Sequence, residues 1–291
     1  MRSMITFALH LIVGRSVARL TVGTSCINDA CSAARLTISN PPVNLFDKNV
    51  ISDLNESLIE LTGDNQTKVV VVSSDVPGFF GAQIDLNILG STAPPGVNAS
   101  AVLETYYDNL NLLLSSSIIF IAEVNGRAWG AGDEHILRMD MRFAGPEAQF
   151  GAPEAAVGLI HVGGLQQLTR LIGPGLASEY MLSAAQVKAT EAARIGWVNS
   201  AYPSPEALRN HVNKLATRIA LFSFEALNLT KQSIAEQGPT QQALRRDRAR
   251  FEALAMVPVV GQRLANIVEI SKNQSTEWEL NNNNNIVANL Y

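Results

Sequence analysis

Glu134 and Glu154 each follow an apolar run and a tight turn, and both fall inside one stretch, residues 118–154. Residues 118–124 (I-I-F-I-A-E-V) have the β-branched, apolar character of a buried strand, stopped at once by Asn125-Gly126. The small residues Ala128, Gly130, Ala131 and Gly132 then lead into a helix carrying Glu134. A strand, a turn of small residues and a helix N-terminus can aim backbone N–H groups and a carboxylate at one point. Such a point stabilises negative charge on a substrate oxygen and moves a proton beside it. Glu154 closes a second strand and turn, A-Q-F-G-A-P-E, and brings a second acid.

The elements that must hold these acids read as strands alternating with helices. Residues 34–39 form a strand stopped by Asn40-Pro41-Pro42, and Asp47 caps a helix with Val50, Ile51, Leu54, Leu58 and Leu61 on one face. Residues 68–73 (K-V-V-V-V-S) are a continuous apolar run of the kind found in buried parallel strands. The loop over residues 75–89 is shaped by two glycines, a proline and Phe79-Phe80, and residues 90–98 form a mobile surface loop. Residues 100–117 are a helix with Leu103, Tyr106 or Tyr107, Leu110 and Leu114 along one face. A glycine-bearing turn at residues 158–164 precedes a helix over 165–172, stopped by Gly173-Pro174. From Pro205 the strands are finished, and helices over 208–219, 227–234, 241–255 and 262–270 follow. The organisation is therefore an N-terminal extension (1–21), a core (22–204), a helical region (205–272) and a disordered tail (273–291) with five consecutive asparagines.

Totals narrow the partners. With 291 residues, 47% of them hydrophobic, the chain can bury a substantial core. A net charge of -4 offers no basic nucleic-acid surface. Cys26 and Cys31 are the only cysteines; their spacing makes neither a disulfide framework nor a metal site, and each is expected as an unpaired small residue. Residues 4–13 are apolar but far below the roughly 20 residues needed to span a bilayer, and no other stretch reads as a membrane span. Arg2, Arg15 and Arg19 precede the first acid, Asp29, so the extension also suits an organellar transit segment. The location expected is cytoplasmic or mitochondrial, the chain's last residues being no peroxisomal S-K-L address.

In order along residues 22–272, the chain resembles the crotonase superfamily, the enoyl-CoA hydratase/isomerase fold. R-L-T-I-S-N-P-P-V-N looks like the family's first strand and turn, and F-F-G-A-Q-I-D-L like its oxyanion loop F-x-A-G-A-D. V-N-G-R-A-W-G-A-G-D-E is similar to V-N-G-x-A-x-G-G-G-x-E, and D-M-R-F-A, A-Q-F-G-A-P-E-A-A-V-G-L and A-T-E-A-A-R-I-G-W-V-N also fit. The resemblance implies an α/β fold, a spiral of ββα units with a helical C-terminal trimerisation region. It implies an acyl-CoA thioester as ligand, a homotrimer or dimer of trimers, and no cofactor or metal beyond the coenzyme A of the substrate.

By the same match, the backbone amides of Ile84 and Ala131 form the oxyanion hole, and Glu134 and Glu154 are the acids that grip one water. Two carboxyls in one apolar pocket repel as anions, so one is pushed toward holding its proton. Gln83 and Ala131 stand where the family usually has glycine; if position 83 needs positive φ, Gln83 is strained or the loop rebuilt. Phe80, Gln83, Trp129, His135 and His161 are further pocket candidates, with core packing the better reading for Phe80 and Trp129 and a packing role for His135. His161 lies in a turn one residue shorter than the family's P-G-x-G-G, and His211 is read as structural. The leading expectation is hydration of a trans-2-enoyl-CoA or its reverse. Double-bond isomerisation, cleavage of a hydroxyacyl-CoA, and a non-catalytic binding or assembly role of the same fold stay open.

Overall fold

The computed structural model describes residues 21–89 and 95–281. The extension up to residue 20, part of the expected mobile loop (90–94) and the tail from 282 lie outside the described residues. Strand β1 (Val22–Cys26) pairs antiparallel with β2 (Ala33–Ile38), and helix α1 (Lys48–Gly63) follows. Three turns of one kind come next. The first is β3 (Val69–Ser74), β4 (Gly78–Gly81) and α2 (Ala99–Ser115). The second is β5 (Ile119–Val124), β6 (Gly126–Trp129) and α3 (Ala131–Leu137). The third is β7 (Met141–Ala144), β8 (Gln149–Gly151) and α4 (Glu154–Val157). Helix α5 (Leu165–Ser183), β9 (Val187–Lys188), α6 (Ala189–Ile195) and β10 (Ser200–Ala201) complete the core. Helices α7 (Pro205–Ala220), α8 (Phe224–Ala235), α9 (Gln241–Ala255), α10 (Pro258–Ile270) and α11 (Thr276–Asn281) make up the C-terminal region.

The strands sort into a six-stranded sheet, β1-β2-β3-β5-β7-β10, and a four-stranded one, β4-β6-β8-β9. Each ββα turn gives one strand to each sheet, so the chain winds as the expected spiral. From β2 to β10 the large sheet is parallel. The valine run of β3 sits inside it and is buried on both faces, which is why it does not alternate with polar residues. Val70 and Val72 face the main core with α1 and α2, while Val69 and Val71 face a second core closed by Leu208 and Val212 of α7. Helix α1 starts at Asp47, whose carboxylate accepts from the amides of Asn49 and Val50, and it buries the predicted stripe of Val50, Ile51, Leu54, Leu58 and Leu61. Losing such a cap costs about 1 kcal/mol. Helix α3 crosses β4 so closely that a Cβ on Gly132 would strike the Gly81 carbonyl. Glycine at 132 is what lets the acid-bearing helix lie against the small sheet.

Two expectations are corrected. Cys26 and Cys31 are joined in a disulfide, with Cα atoms 4.8 Å apart. The turn between them folds back: the Cys31 amide bonds to the Asn28 carbonyl and Cys31 takes φ 50, which brings the sulfurs together. The expected break at Gly173-Pro174 is present: Gly173 takes φ 79 and ψ 159, outside the helical range, and divides α5 into a first helical stretch and a second one that runs to Ser183. The tail does not lose order at residue 273. Lys272, Asn273 and Gln274 turn through positive φ into α11, which buries Trp278 against Ala156 and Glu279 completely. Among the described residues no single helix is long and apolar enough to cross a membrane.

Candidate active site

The two candidate backbone donors come from different turns of the spiral. The loop after β4 is tied to the segment before α1: Phe46 donates to the Gln83 carbonyl at 2.8 Å and Asp85 to the Phe46 carbonyl at 3.1 Å. Those bonds flank Ile84 and leave its N–H unused. Ala131 is the first residue of α3, where a helix has no internal acceptor for the N–H. Among the described residues neither amide meets an acceptor, and both residues line one cavity. The anticipated strain at Gln83 is absent, because this residue is not among those with positive φ. The left-handed position is Gly130 (φ 50), where a Cβ would also approach Glu154 Oε1 to 3.2 Å. Glycine is needed there on both counts, whereas Ala131 is accommodated.

Glu134 lies one turn into α3, a helix buried on every side, and Glu154 opens α4 just beyond β8. The Tyr106 hydroxyl of α2 donates to Glu134 Oε2 at 2.5 Å. His161 sits between and behind the two acids. Its Nδ1 is 3.1 Å from Glu154 Oε2 and 3.5 Å from Glu134 Oε1, and its Nε2 is 3.0 Å from Asp133 Oδ2. The other Asp133 oxygen accepts from Trp197 Nε1 at 2.9 Å. Arg138 donates through Nε to the Gly163 carbonyl, and Arg142 donates to the carbonyls of Trp197, Ile136 and Met139.

Burial sets the electrostatics. It pushes the Glu134 carboxyl up to about 7; the imidazole of His161 and the Tyr106 hydroxyl pull it down, and the charge of Glu154 adds to the rise. Burial alone would lower His161, but Glu154, Asp133 and Glu134 outweigh it and the ring is held well above its ordinary value. Burial likewise raises Asp133. His135 is the opposite case. Burial drives it down to about 4, so it is neutral at physiological pH.

The cavity beside the acids is lined by Gln83, Ile84, Tyr106, Tyr107, Ala131, Glu134 and Glu154 and otherwise by apolar groups, among them Leu103, Val157, Leu159, Phe251, Leu264 and Ile267. An apolar wall with two carboxylates and two amide donors suits a weakly polar chain bearing one carbonyl. Gln83 lines this cavity, as expected of a pocket candidate. Phe80 and Trp129 do not. Phe80 points into the main core, and Trp129 lies over Gly151 of the neighbouring strand beneath the Arg127 guanidinium, 4.2 Å from the ring centre. His135 is also withdrawn, with Nδ1 2.8 Å from the Ala131 carbonyl and its ring stacked on Phe46 at 4.4 Å. His211 packs between Phe143 and Tyr202. Tyr106 reads in the sequence only as a member of an apolar stripe, although a hydroxyl on such a stripe asks for a partner. Asp133 reads as a charge beside Glu134 that could modify the acid or extend the pocket; its complete burial is visible only in three dimensions.

The enoyl-CoA hydratase/isomerase family model matches residues 29–255. The short-chain-enoyl-CoA hydratase of Clostridium acetobutylicum is 30% identical over 203 residues, 69% of this chain and 77% of that protein. The 2,3-dehydroadipyl-CoA hydratase of Escherichia coli is 32% identical over 225 residues, covering 76% and 86%. A Streptomyces avermitilis protein solved as a candidate enoyl-CoA hydratase superposes with a TM-score of 0.79 at 27% identity, over 93% of this chain and 98% of that one.

Proposed function

The chain belongs to the enoyl-CoA hydratase/isomerase family, and we propose that it adds water across the double bond of a trans-2-enoyl-CoA, or removes water in the reverse direction. The observation that carries this reading is the meeting of Glu134 and Glu154 in one apolar cavity with the two unused amides of Ile84 and Ala131. The thioester carbonyl sits between the amides. As the α,β double bond is attacked, charge builds on that oxygen, and two fixed donors stabilise it in the intermediate more than in the substrate. Glu154 takes a proton from the water whose oxygen bonds to the β-carbon. Glu134, held protonated near neutrality, delivers its proton to the α-carbon. One water is consumed, and the proton gained by one acid replaces the proton lost by the other. The reaction moves no electrons, so the redox cofactors are not required.

Relatives named for short-chain-enoyl-CoA and dehydroadipyl-CoA hydration support the same substrate class, an acyl-CoA thioester. Exposed Leu221, Phe222, Leu229, Ile234 and Met256 in the C-terminal helical region support assembly into a trimer or a pair of trimers. The test is incubation of pure protein with crotonyl-CoA and longer enoyl-CoAs, following loss of the conjugated absorbance and, by mass spectrometry, the gain of one water. Isomerisation leaves the mass unchanged and cleavage divides it. No turnover at any chain length, with Glu134→Ala indistinguishable from wild type, would sink the proposal.

A further inference from the structure

The hydration chemistry uses Glu134 and Glu154 and leaves His161 unexplained. This ring is 2% exposed, and its Nδ1 faces both acids without an aligned hydrogen bond to either. Glu154 Oε2, 3.1 Å away, is likewise buried without a hydrogen-bond partner. The Nδ1–Glu154 and Nδ1–Glu134 separations are 3.1 and 3.5 Å. Two donors bound at zinc distances near 2.0–2.2 Å stand about 3.3 Å apart in tetrahedral geometry, between those two values. One donor atom from each of Glu134, Glu154 and His161 lies within 4.8 Å of the others. The surroundings are those of a metal ligand set. The second ring nitrogen is fixed by Asp133, which is fixed in turn by Trp197, and the far oxygen of Glu134 is fixed by Tyr106. Outer carboxylates of this kind orient a ligating histidine. Three carboxylates, those of Asp133, Glu134 and Glu154, converge on one imidazole.

We infer that Glu134, Glu154 and His161 form a binding site for one divalent transition-metal ion of the zinc class, which on binding takes the place of the water held between the two acids. A nitrogen and two carboxylate oxygens favour zinc or cobalt over calcium or magnesium, which take oxygen ligands alone. The consequence rests on the hydration proposal: the ion switches hydration off, and a chelator restores it. Binding itself is read without turnover.

The experiment titrates chelator-treated full-length protein with Co²⁺, followed by its visible ligand-field bands, and with Zn²⁺ by calorimetry. One ion per chain is expected, with affinity lowered at least about tenfold in both His161→Gln and Glu154→Gln, and about tenfold in Asp133→Asn. Circular dichroism of each variant establishes that it is folded; should one fail to fold, the others decide. Absence of saturable binding, or binding unchanged in every folded variant, overturns the site. If the protein hydrates no thioester in metal-free buffer, the hydration proposal falls while the cobalt spectrum still decides the site. If it hydrates equally well with zinc bound, the claim that the ion replaces the water is overturned.

Discussion

Glu279 of α11 accepts a hydrogen bond at 3.1 Å from the side chain of Gln83, 196 positions earlier, in the loop that presents the Ile84 amide. Gln274 binds the same loop three times: it accepts from Gln83 Nε2 at 3.3 Å and from the Leu86 amide at 3.1 Å, and donates to Asp85 at 2.8 Å. Arg127 of β6 donates to the Glu279 carbonyl at 2.7 Å. Trp278 rests on Ala156, two residues beyond Glu154. The end of the described chain therefore braces both arms of the site. Gln83, which departs from the family's glycine, is where the brace attaches.

Glu279→Ala removes an acceptor from Gln83 and loosens the loop. The expected result is a fall in kcat of about tenfold with crotonyl-CoA, below the 10²–10³ typical of losing an oxyanion donor outright. Glu279→Gln keeps an acceptor oxygen and should stay within about threefold of wild type. Hydrogen exchange over residues 82–89 should quicken in the alanine variant alone. Unchanged exchange and unchanged kcat in Glu279→Ala would refute the positioning role.

Replacing either acid by its amide isolates proton transfer from packing. Glu134→Gln and Glu154→Gln each keep the side-chain volume, and each should lower kcat by about 10²–10⁴ with KM altered little. Equal losses in kcat and kcat/KM identify an interaction made in the transition state. A variant whose loss appears only in KM would mean that its acid binds substrate rather than moving a proton.

The pH profile carries a sign. The Glu134 carboxyl, raised to about 7, keeps its proton below that pH and loses it above. Once both acids are ionised no proton remains for the α-carbon. Hydration kcat/KM should therefore fall about tenfold per pH unit on the alkaline side of neutrality. That titration belongs to the pair, not to one residue. The Tyr106 hydroxyl stabilises the ionised form of Glu134, so Tyr106→Phe should move the limb to higher pH. A limb that stays in place or moves downward contradicts the assignment.

Where one face or one strand decides, the fold was legible in the sequence. The α1 stripe, its Asp47 cap and the valine run of β3 each record a local environment directly in their residue types. The candidate donors Ile84 and Ala131 and the two acids stand out in the sequence because each lies within a short ordered motif. What stayed hidden depends on contacts between distant segments. His161 meets Asp133 from 28 positions away and Trp197 reaches Asp133 from 64, and no local pattern encodes either pairing. The tail was misread because its asparagines dominate the composition, although Trp278 within it was a residue that water does not favour. The turn holding Cys26 and Cys31 gave no periodic signal at all.

Trp197→Phe tests whether the Asp133 contact matters to the fold. Trp197 is fully buried, and its ring packs near Tyr180 and Phe150 at 5.7 and 6.5 Å between ring centres. Phenylalanine retains most of that apolar contact but deletes the N–H that satisfies Asp133 Oδ1 at 2.9 Å. A buried acceptor left unpaired costs about 1–3 kcal/mol, and for a chain of this size each kcal/mol lowers the melting temperature by about 2–4 °C. A fall of roughly 2–12 °C is expected by calorimetry. Trp197→Ala adds a cavity, so its loss should be larger, about 3–5 kcal/mol. If the phenylalanine variant melts with wild type while the alanine variant does not, Trp197 serves the core by packing alone and the indole bond to Asp133 contributes nothing to stability.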